Sequence, residues 1–561
     1  MSNPAWFETF RSSENYKLLQ KKPLAYFCIE YALSPSLPTY AGGLGVLAGD
    51  FIKELSEQHI PAVAVGLYYQ SKYGADTAAK IEEQKAYPVT PQQQGLLPVY
   101  DNNGTPLLVK IPIQDHDVFA KVWLWKQNSI PVYLLDTDVS QNSPEDRAIC
   151  FKLYDSNKET RLKQEMVLGI GGYRLLEALH IEPSLFHMNE GHSSLLTLEI
   201  IRHEMQKRKL GFKDAVALST HHVIFTNHTL LAAGSEIYHT DLFTTLLSSY
   251  ATQLEVPVSD IVALGLIPES NSFSLSLFAL RLAGKINAVS ELHAKEATKA
   301  WGNFSVEAVT NGIHVPTWNC IPKDSSLSAA HIENKKRLLG FLKEQTEVQW
   351  EDDELLIGWA RRMVRYKRPL ALFGEIDRLV RIVNTTKTPV RIVIAGIAHQ
   401  GDDEGREFIK VIQEVIKERL PHVAVYLPNY TVTLAKLLTS GCDVWLNTPV
   451  VGSEACGTSG MKACLNGVLP CTTKDGWVDE VDLSHIGWEL NNDTIHDSLL
   501  DTLEDKIIPL YYASDKSGWE TYMRNARELI STQFSTTRML EDYFEKMYLP
   551  ILTASVEHYS V

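Results

Sequence analysis

The sequence predicts an α/β protein built as two domains around a cleft. Three observations carry that reading. The chain has 561 residues, well past the size at which a single hydrophobic core stops growing. Its second half alternates short apolar runs with helical patterns, the punctuation of a parallel sheet covered on both faces. Its first half starts in the same way before turning irregular.

In the second half, LLIGWA (355–360) reads as a strand, ALFGEIDRLVRIV as a helix and RIVIAGI (391–397) as the next strand. A helix at 403–420 puts Phe408, Val411, Ile412, Val415, Ile416 and Leu420 on one stripe, and Pro421 stops it before the strand VAVYL. TLAKLLTSG then ends on Gly441, suited to a helix C-cap, DVWLN is a strand, and EACGTSGMKACLNG (454–467) turns into a helix. Sheets of this kind bind ligands at the carboxyl ends of their strands, where EACGTSGMK sits.

The first half opens with strands LAYFCIEYAL (24–33) and AVAVGLYY (62–69) around a helix beginning near Leu47. Residues 71–130 are rich in Gln, Pro, Asn and Asp and predict an insertion of loops and short strands such as LLVKIPI and VFAKVWLW. The pattern resumes with an amphipathic helix near 160–178, the strand SLFHMN, a helix after Glu190 and the strand VIFTNH. Asn311, Gly312 and Pro316 break it in VTNGIHVPTW (309–318). The expected units are therefore an α/β domain over 1–312, a second, Rossmann-like domain over 313–535 whose first helix is KDSSLSAAHIENKKR, and a C-terminal helix over 536–561 packing back on the first.

With 45% hydrophobic and 22% charged residues the composition is that of a globular protein. Fifty-three Lys and Arg against 68 Asp and Glu leave a net charge of −15, which disfavours nucleic acid and acidic membranes as partners. No apolar run approaches the ~20 residues of a membrane span, and MSNPAWFETFRSS lacks an apolar signal segment, so the expected location is cytoplasmic. Seven scattered cysteines without CxxC pairs argue against a disulfide framework or a zinc site. No metal is expected.

Five stretches carry chemistry. Lys462 sits where the pattern predicts the start of a helix and so opposes the macrodipole; either it faces water, or it and the free amides of 457–460 hold an anion. ARRMVRYKRPLALF places Arg361, Arg362, Arg365, Lys367 and Arg368 directly after a strand, a density of cations that calls for an anion. YAGGLGVLAGDF (40–51) fails as a dinucleotide fingerprint, because its glycines run G-x-G-x-x-x-G and no ribose-binding carboxylate follows, yet the Gly42 and Gly43 amides can approach a phosphate or sugar closely. HMNEGHSS and FTNHTLLAAG place Glu190, His192 and His228 just past strands, as hydrogen-bonding groups suited to sugar hydroxyls. There is neither a Ser-His-Asp signature nor a P-loop.

Taken in order, GGLG, N-E-x-H, TNHT, VTNGI, R-x-x-x-YKR, NY-x-V-x-LA and EACGTSGMK-x-x-LNG closely resemble the α-glucan phosphorylases that act on glycogen, starch and maltodextrin. The likeness runs from about residue 25 to 480, and its last motif is the most specific. It implies a GT-B fold, two Rossmann-like domains facing a central cleft, with pyridoxal 5′-phosphate held as an imine on Lys462. In this family the cofactor contributes its phosphate to proton transfer instead of serving as an electron sink. The implied reaction is phosphorolysis of a terminal α-1,4-linked glucose to glucose 1-phosphate with retention, and the implied partners are a glucan and orthophosphate; a homodimer is compatible with it.

Carried over residue by residue, Arg362 and Lys367 match the substrate-phosphate ligands and, with Lys462 and with His228 beside the sugar, are the catalytic candidates. Arg361 stands where the family usually has a lysine facing the cofactor phosphate, and Thr458, Gly457 and Tyr430 match its other neighbours. Gly42, Gly43, His192, Asn287, Glu454 and Gly457 match substrate contacts. Besides Arg361, the chain departs from the family at Cys456, usually serine, and at Ile397, commonly lysine. The regulatory N-terminal extension of the large members is not expected. A nucleotide-sugar glucosyltransferase of starch-synthase type would share the fold and GGLG but have no use for Lys462. A non-catalytic glucan-binding relative would lose the phosphate ligands, which are present here.

Overall fold

Each half of the chain is organised by one large β-sheet. The structure is a computed structural model describing residues 4–37, 39–71, 90–229, 236–398 and 402–559. The first sheet takes β1 (Leu24–Phe27), β2 (Ala62–Leu67), β3 (Leu97–Pro98), β4 (Leu108–Ile113), β5 (His116–Gln127), β6 (Ile130–Asp136), β7 (Leu185–Asn189) and β8 (Val223–Asn227). A small pair, β9 (Ile237–His239) and β10 (Ser272–Ser274), stands apart, and β11 (Lys285–Ala288) and β12 (Glu307–Ala308) complete the large sheet. The second sheet comprises β13 (Leu355–Ala360), β14 (Val390–Ala395), β15 (Ala424–Leu427), β16 (Val444–Asn447), β17 (Leu469–Thr473) and β18 (Trp488–Leu490), all parallel.

The two sheets repeat one topology. In the second, the order is β15-β14-β13-β16-β17-β18. The first strand lies in the middle, the chain winds outward to one side, then returns to wind out on the other. In the first sheet β1 likewise separates β2 and β6 from β7, β8, β11 and β12. A doubly wound sheet opens a crevice where the winding reverses, at the carboxyl ends of the two central strands. Those crevices lie after β1 and β7, and after β13 and β16.

Both faces of each sheet are covered, so the strands read as continuous apolar runs. Ala25 and Phe27 of β1 enter one core, while Leu24 and Tyr26 enter another that also holds Met539, Tyr543, Phe544, Met547 and Tyr548. These last belong to the closing helical stretch, Thr536–Asp542, Tyr543–Tyr548 and Leu549–Tyr559. It is moored by polar contacts as well: Tyr548 Oη lies 2.7 Å from His187 Nδ1, and Trp6 Nε1 donates to Glu545 at 3.0 Å.

The chain passes between the halves twice, and the two passages touch. Ile313 N donates to Phe534 O at 2.9 Å, and Thr536 N donates to Ile313 O at 2.9 Å. A Cβ on Gly312 would stand 2.4 Å from Ser535 O, so only glycine allows this approach.

Several expectations need correction. The run LAYFCIEYAL is a strand only over Leu24–Phe27; its later apolar residues are buried in the loop that follows. The helix placed near Leu47 starts earlier, at Gly43. The segment read as an insertion instead extends the sheet, since β5 pairs with β6 antiparallel and β6 with β2 parallel; its residues 72–89 lie outside the described residues. Gly441 is the last helical residue of Val432–Gly441 and not its cap, which is Cys442. Its Cβ would meet Leu338 Cβ at 2.8 Å, so the glycine serves close packing against the helix Leu327–Thr346. Six of the seven cysteines are buried, none in a disulfide, and no described helix is long and apolar enough to cross a membrane.

His187 is buried, and its other ring nitrogen lies 2.7 Å from Thr226 Oγ1. Tyr548→Phe should strand one nitrogen and cost about 1–3 kcal/mol, measured as a lower denaturation midpoint with the far-ultraviolet spectrum unchanged.

Candidate active site

The loops after β13 and β16 bring positive charge to one carboxylate. Arg361, directly after β13, is 5% exposed and places Nη2 3.1 Å from Glu454 Oε1. Its Nη1 is buried without a hydrogen-bond partner. Lys367, in the turn Arg365–Lys367, sits astride Glu454 with Nζ 3.4 Å from Oε1 and 3.3 Å from Oε2. Arg362 is exposed, and its charge acts on Glu454, Lys367 and Glu30. The other two cations of the stretch turn away: Arg365 pairs with Glu404 at the surface, and Arg368 donates to Asn492 O at 2.9 Å. The expected cluster of five is therefore one of three.

Burial, then the neighbouring charges of Arg361 and Arg362, pull Lys367 down to about 7, against the opposing pull of Glu454. Burial acts to raise the Glu454 carboxyl, but Arg361 and Lys367 outweigh it, and the group is held below its ordinary range. The loop carrying Glu454 is pinned from several sides. Glu454 N donates to Asp475 Oδ2 at 2.9 Å, Ser290 Oγ to Ala455 O at 2.6 Å, and Asn311 Nδ2 to Cys456 O at 3.4 Å. A Cβ on Gly457 would lie 2.7 Å from Arg361 Nη2 and 2.9 Å from Glu454 Oε1, so the backbone here is pressed against the charged groups.

Thr458, half-buried, precedes the helix Ser459–Leu465, in which Lys462 is the fourth of seven residues. The lysine thus belongs to the last turn and does not oppose the helix dipole, contrary to the sequence expectation. It is 7% exposed, and its Nζ lies 4.0 Å from the centroid of the Trp318 ring. Burial pushes its amine down to about 8, with Asp50 raising it and Lys53 lowering it further. Tyr430 is half-buried, close enough to Arg361 to feel its charge, and its phenol is pushed up by burial.

From the first half come the loops after β1, β7 and β8. Glu30 is 2% exposed; its Oε2 accepts from Ala41 N at 2.7 Å and Gly42 N at 3.1 Å, and its Oε1 from Tyr154 Oη at 2.8 Å. That carboxylate fixes the GGLG turn, leaving Gly42 and Gly43 exposed with open space at their Cβ positions. Glu190 takes a left-handed φ of 74° and accepts from Gly191 N and His228 N, and burial raises its carboxyl to about 7. His228 Nε2 bonds Asn189 Oδ1, and burial pushes its ring down to about 3. It stays neutral, a hydrogen-bonding group and not a source of charge. Residues 230–235, beyond it, lie outside the described residues.

Two expected sugar contacts are placed otherwise. Asn287 is wholly buried; its Oδ1 accepts from Thr226 Oγ1 at 2.7 Å and its Nδ2 donates to Tyr543 Oη at 3.2 Å, so its amide is spent on holding the C-terminal helix. His192 is 5% exposed and turns Nε2 toward Glu236 at 3.7 Å.

Comparison with known proteins agrees with this arrangement. Residues 173–295 and 323–490 match the carbohydrate phosphorylase family. The maltodextrin phosphorylase of Thermococcus litoralis is 34% identical over 98% of this chain and 73% of its own. The chain belongs to the carbohydrate phosphorylase family. The glycogen phosphorylase of Aquifex aeolicus is 33% identical over 96% of this chain and 87% of its own, and that of Mycobacterium tuberculosis 30% over 98% and 73%.

Glu30, Asp50, Asp475 and Trp318 were not singled out from the sequence. The first two carry a signal in retrospect: each is a lone acid inside an apolar run, YFCIEYAL and VLAGDFI, and a charge buried in such a run must have a partner.

The state of Lys367 leads to a measurable proton uptake. At pH 8 the Lys367 amine of the anion-free protein is mostly neutral; a dianion beside it favours the charged form and raises its pKa. Sulfate, which carries no proton in this range, should therefore bind with uptake of up to about one proton at pH 8 and almost none below pH 6. Calorimetry in buffers of different ionisation enthalpy measures this, and Lys367→Met should abolish it.

Proposed function

We propose that the chain is an α-1,4-glucan phosphorylase. It moves a terminal α-1,4-linked glucose from maltodextrin or glycogen to orthophosphate, reversibly and with retention, giving glucose 1-phosphate and a glucan shortened by one unit. The observation that carries this reading is the surplus of positive charge around Glu454. Arg361 and Lys367 meet one carboxylate at the crevice of the second sheet and the charge of Arg362 acts on it from the surface, a balance suited to multiply charged anions.

The reading requires pyridoxal 5′-phosphate, and the residues fit it. Lys462 offers a buried amine pushed down to about 8, so that its neutral, nucleophilic form is within reach near neutral pH. Arg361 Nη1 is a buried donor without a partner, next to Gly457, where any side chain would intrude. Lys462 would hold the cofactor, with Arg361, Gly457, Thr458 and Tyr430 around it. When bound, the cofactor supplies a phosphate able to exchange a proton with a neighbouring orthophosphate.

The remaining work falls to the chain. Two phosphates brought together repel strongly at low dielectric, and Arg361, Arg362 and Lys367 offset that repulsion. Lys367, charged when an anion arrives, holds orthophosphate against the sugar. The Gly43 amide is offered to the same anion from the first half, while the Gly42 amide is held by Glu30. Glu454 keeps the cations ordered and accepts from sugar hydroxyls, and neutral His228 adds a hydrogen bond that does not disturb the charge balance.

Maltodextrin with orthophosphate should yield glucose 1-phosphate, and UDP-glucose or ADP-glucose should be inert; turnover of either without phosphate would favour a nucleotide-sugar glucosyltransferase. The protein should carry one pyridoxal phosphate per chain, fixed by borohydride to the peptide containing Lys462. Lys462→Ala should lose cofactor and activity together. Lys367→Ala should keep the cofactor absorbance and lose roughly a hundredfold in kcat/KM, about 3 kcal/mol.

A further inference from the structure

Lys462 belongs to the second half of the molecule, yet the charges that act on it come from the first. Asp50 and Lys53 stand one turn apart on the helix Gly43–Glu57. Asp50 is 2% exposed; its Oδ2 accepts from Trp318 Nε1 at 2.7 Å and from His314 N at 3.3 Å. Trp318 is the ring on which Lys462 Nζ rests. Lys53 Nζ lies 3.9 Å from Asp50 Oδ1 and donates to Thr317 Oγ1 at 3.3 Å. The carboxylate thus fixes the indole under the lysine and supplies its opposite charge, and Lys53 moderates that charge from the far side.

We propose that Asp50 and Lys53 are positioning residues for Lys462, setting from across the seam between the halves how readily its amine reacts with an aldehyde cofactor. This rests on the proposed role of Lys462.

The other groups around the lysine leave the field to this pair. Burial pushes the Cys464 thiol, on the same helix, upward, and pushes His314 down to about 4; both stay neutral. Arg527 is engaged with Leu465 O and, at 3.0 Å, with Asn319 Oδ1. A cleft of about 390 Å³ between the halves, lined by Tyr40, Lys53, Thr317, Trp318, Arg337 and Lys436, opens Lys53 to solvent, while Asp50 lies buried behind it.

The sign of each effect is fixed. Asp50 favours the charged amine, so Asp50→Asn should make Lys462 neutral, and reactive, at lower pH; Lys53 disfavours it, so Lys53→Met should do the reverse. The test strips the full-length protein of cofactor, supplies pyridoxal 5′-phosphate across a pH series, traps with borohydride, and reads the mass of the Lys462 peptide. The midpoint of capture should fall by about one pH unit in Asp50→Asn and rise by a similar amount in Lys53→Met, with Asp50→Glu close to wild type. A merely structural role would lower the yield at every pH without opposite shifts of the midpoint. Should Asp50→Asn not fold, Lys53→Met decides alone, because Lys53 is partly exposed. Wild-type midpoints in the folded variants overturn this inference while leaving the function standing; a wild-type chain that captures nothing on Lys462 overturns both.

Discussion

Arg361 and Lys367 converge on the single carboxylate of Glu454 where little water reaches them, and much of the surrounding structure answers to that crowding. Like charges at low dielectric raise one another's energy steeply. The strain appears as a lysine drawn down to about 7 and a guanidinium nitrogen with no partner. A loop left to itself would relieve both by moving apart. It is prevented by bonds from three places distant in sequence, Asp475, Ser290 and Asn311, and by a glycine that lets the backbone press in from behind. The charged groups are therefore held together by the loop and not by their own attraction alone.

That readiness depends on topology as much as on side chains. A doubly wound sheet delivers loops to one edge, after its central strands, and here two such sheets contribute. The second brings the cations and the lysine, the first the GGLG turn fixed by Glu30 and the neutral His228. Asp50 and Trp318 show the dependence at its closest, an acid of one half hydrogen-bonded to the indole that supports the lysine of the other.

Sequence periodicity made the second half legible because parallel strands buried on both faces must be apolar throughout, and helices between them must be amphipathic. LLIGWA and the stripe from Phe408 to Leu420 both became the elements they suggested. It misled where apolar residues are buried without forming strands, as after Phe27; the strands expected at LLVKIPI and VFAKVWLW did form, as β4 and β5, but β5 joins the main sheet through β6 instead of standing in an insertion. At the site, local motifs located Lys462, Arg361 and Lys367, but a motif does not say which way a side chain turns. Arg365 and Arg368 are as close in sequence as Lys367 and point elsewhere. Asn287 matches a sugar contact by family resemblance alone; its bond to Tyr543, 256 residues away, lies beyond any local pattern.

The paired passages at Ile313 and Ser535 put both covalent connections between the halves at one hydrogen-bonded spot, where Gly312 admits no side chain. A single added methyl group there would wedge both crossings apart together, so the mutual alignment of the two sheets hangs on a residue far from any of the charged groups.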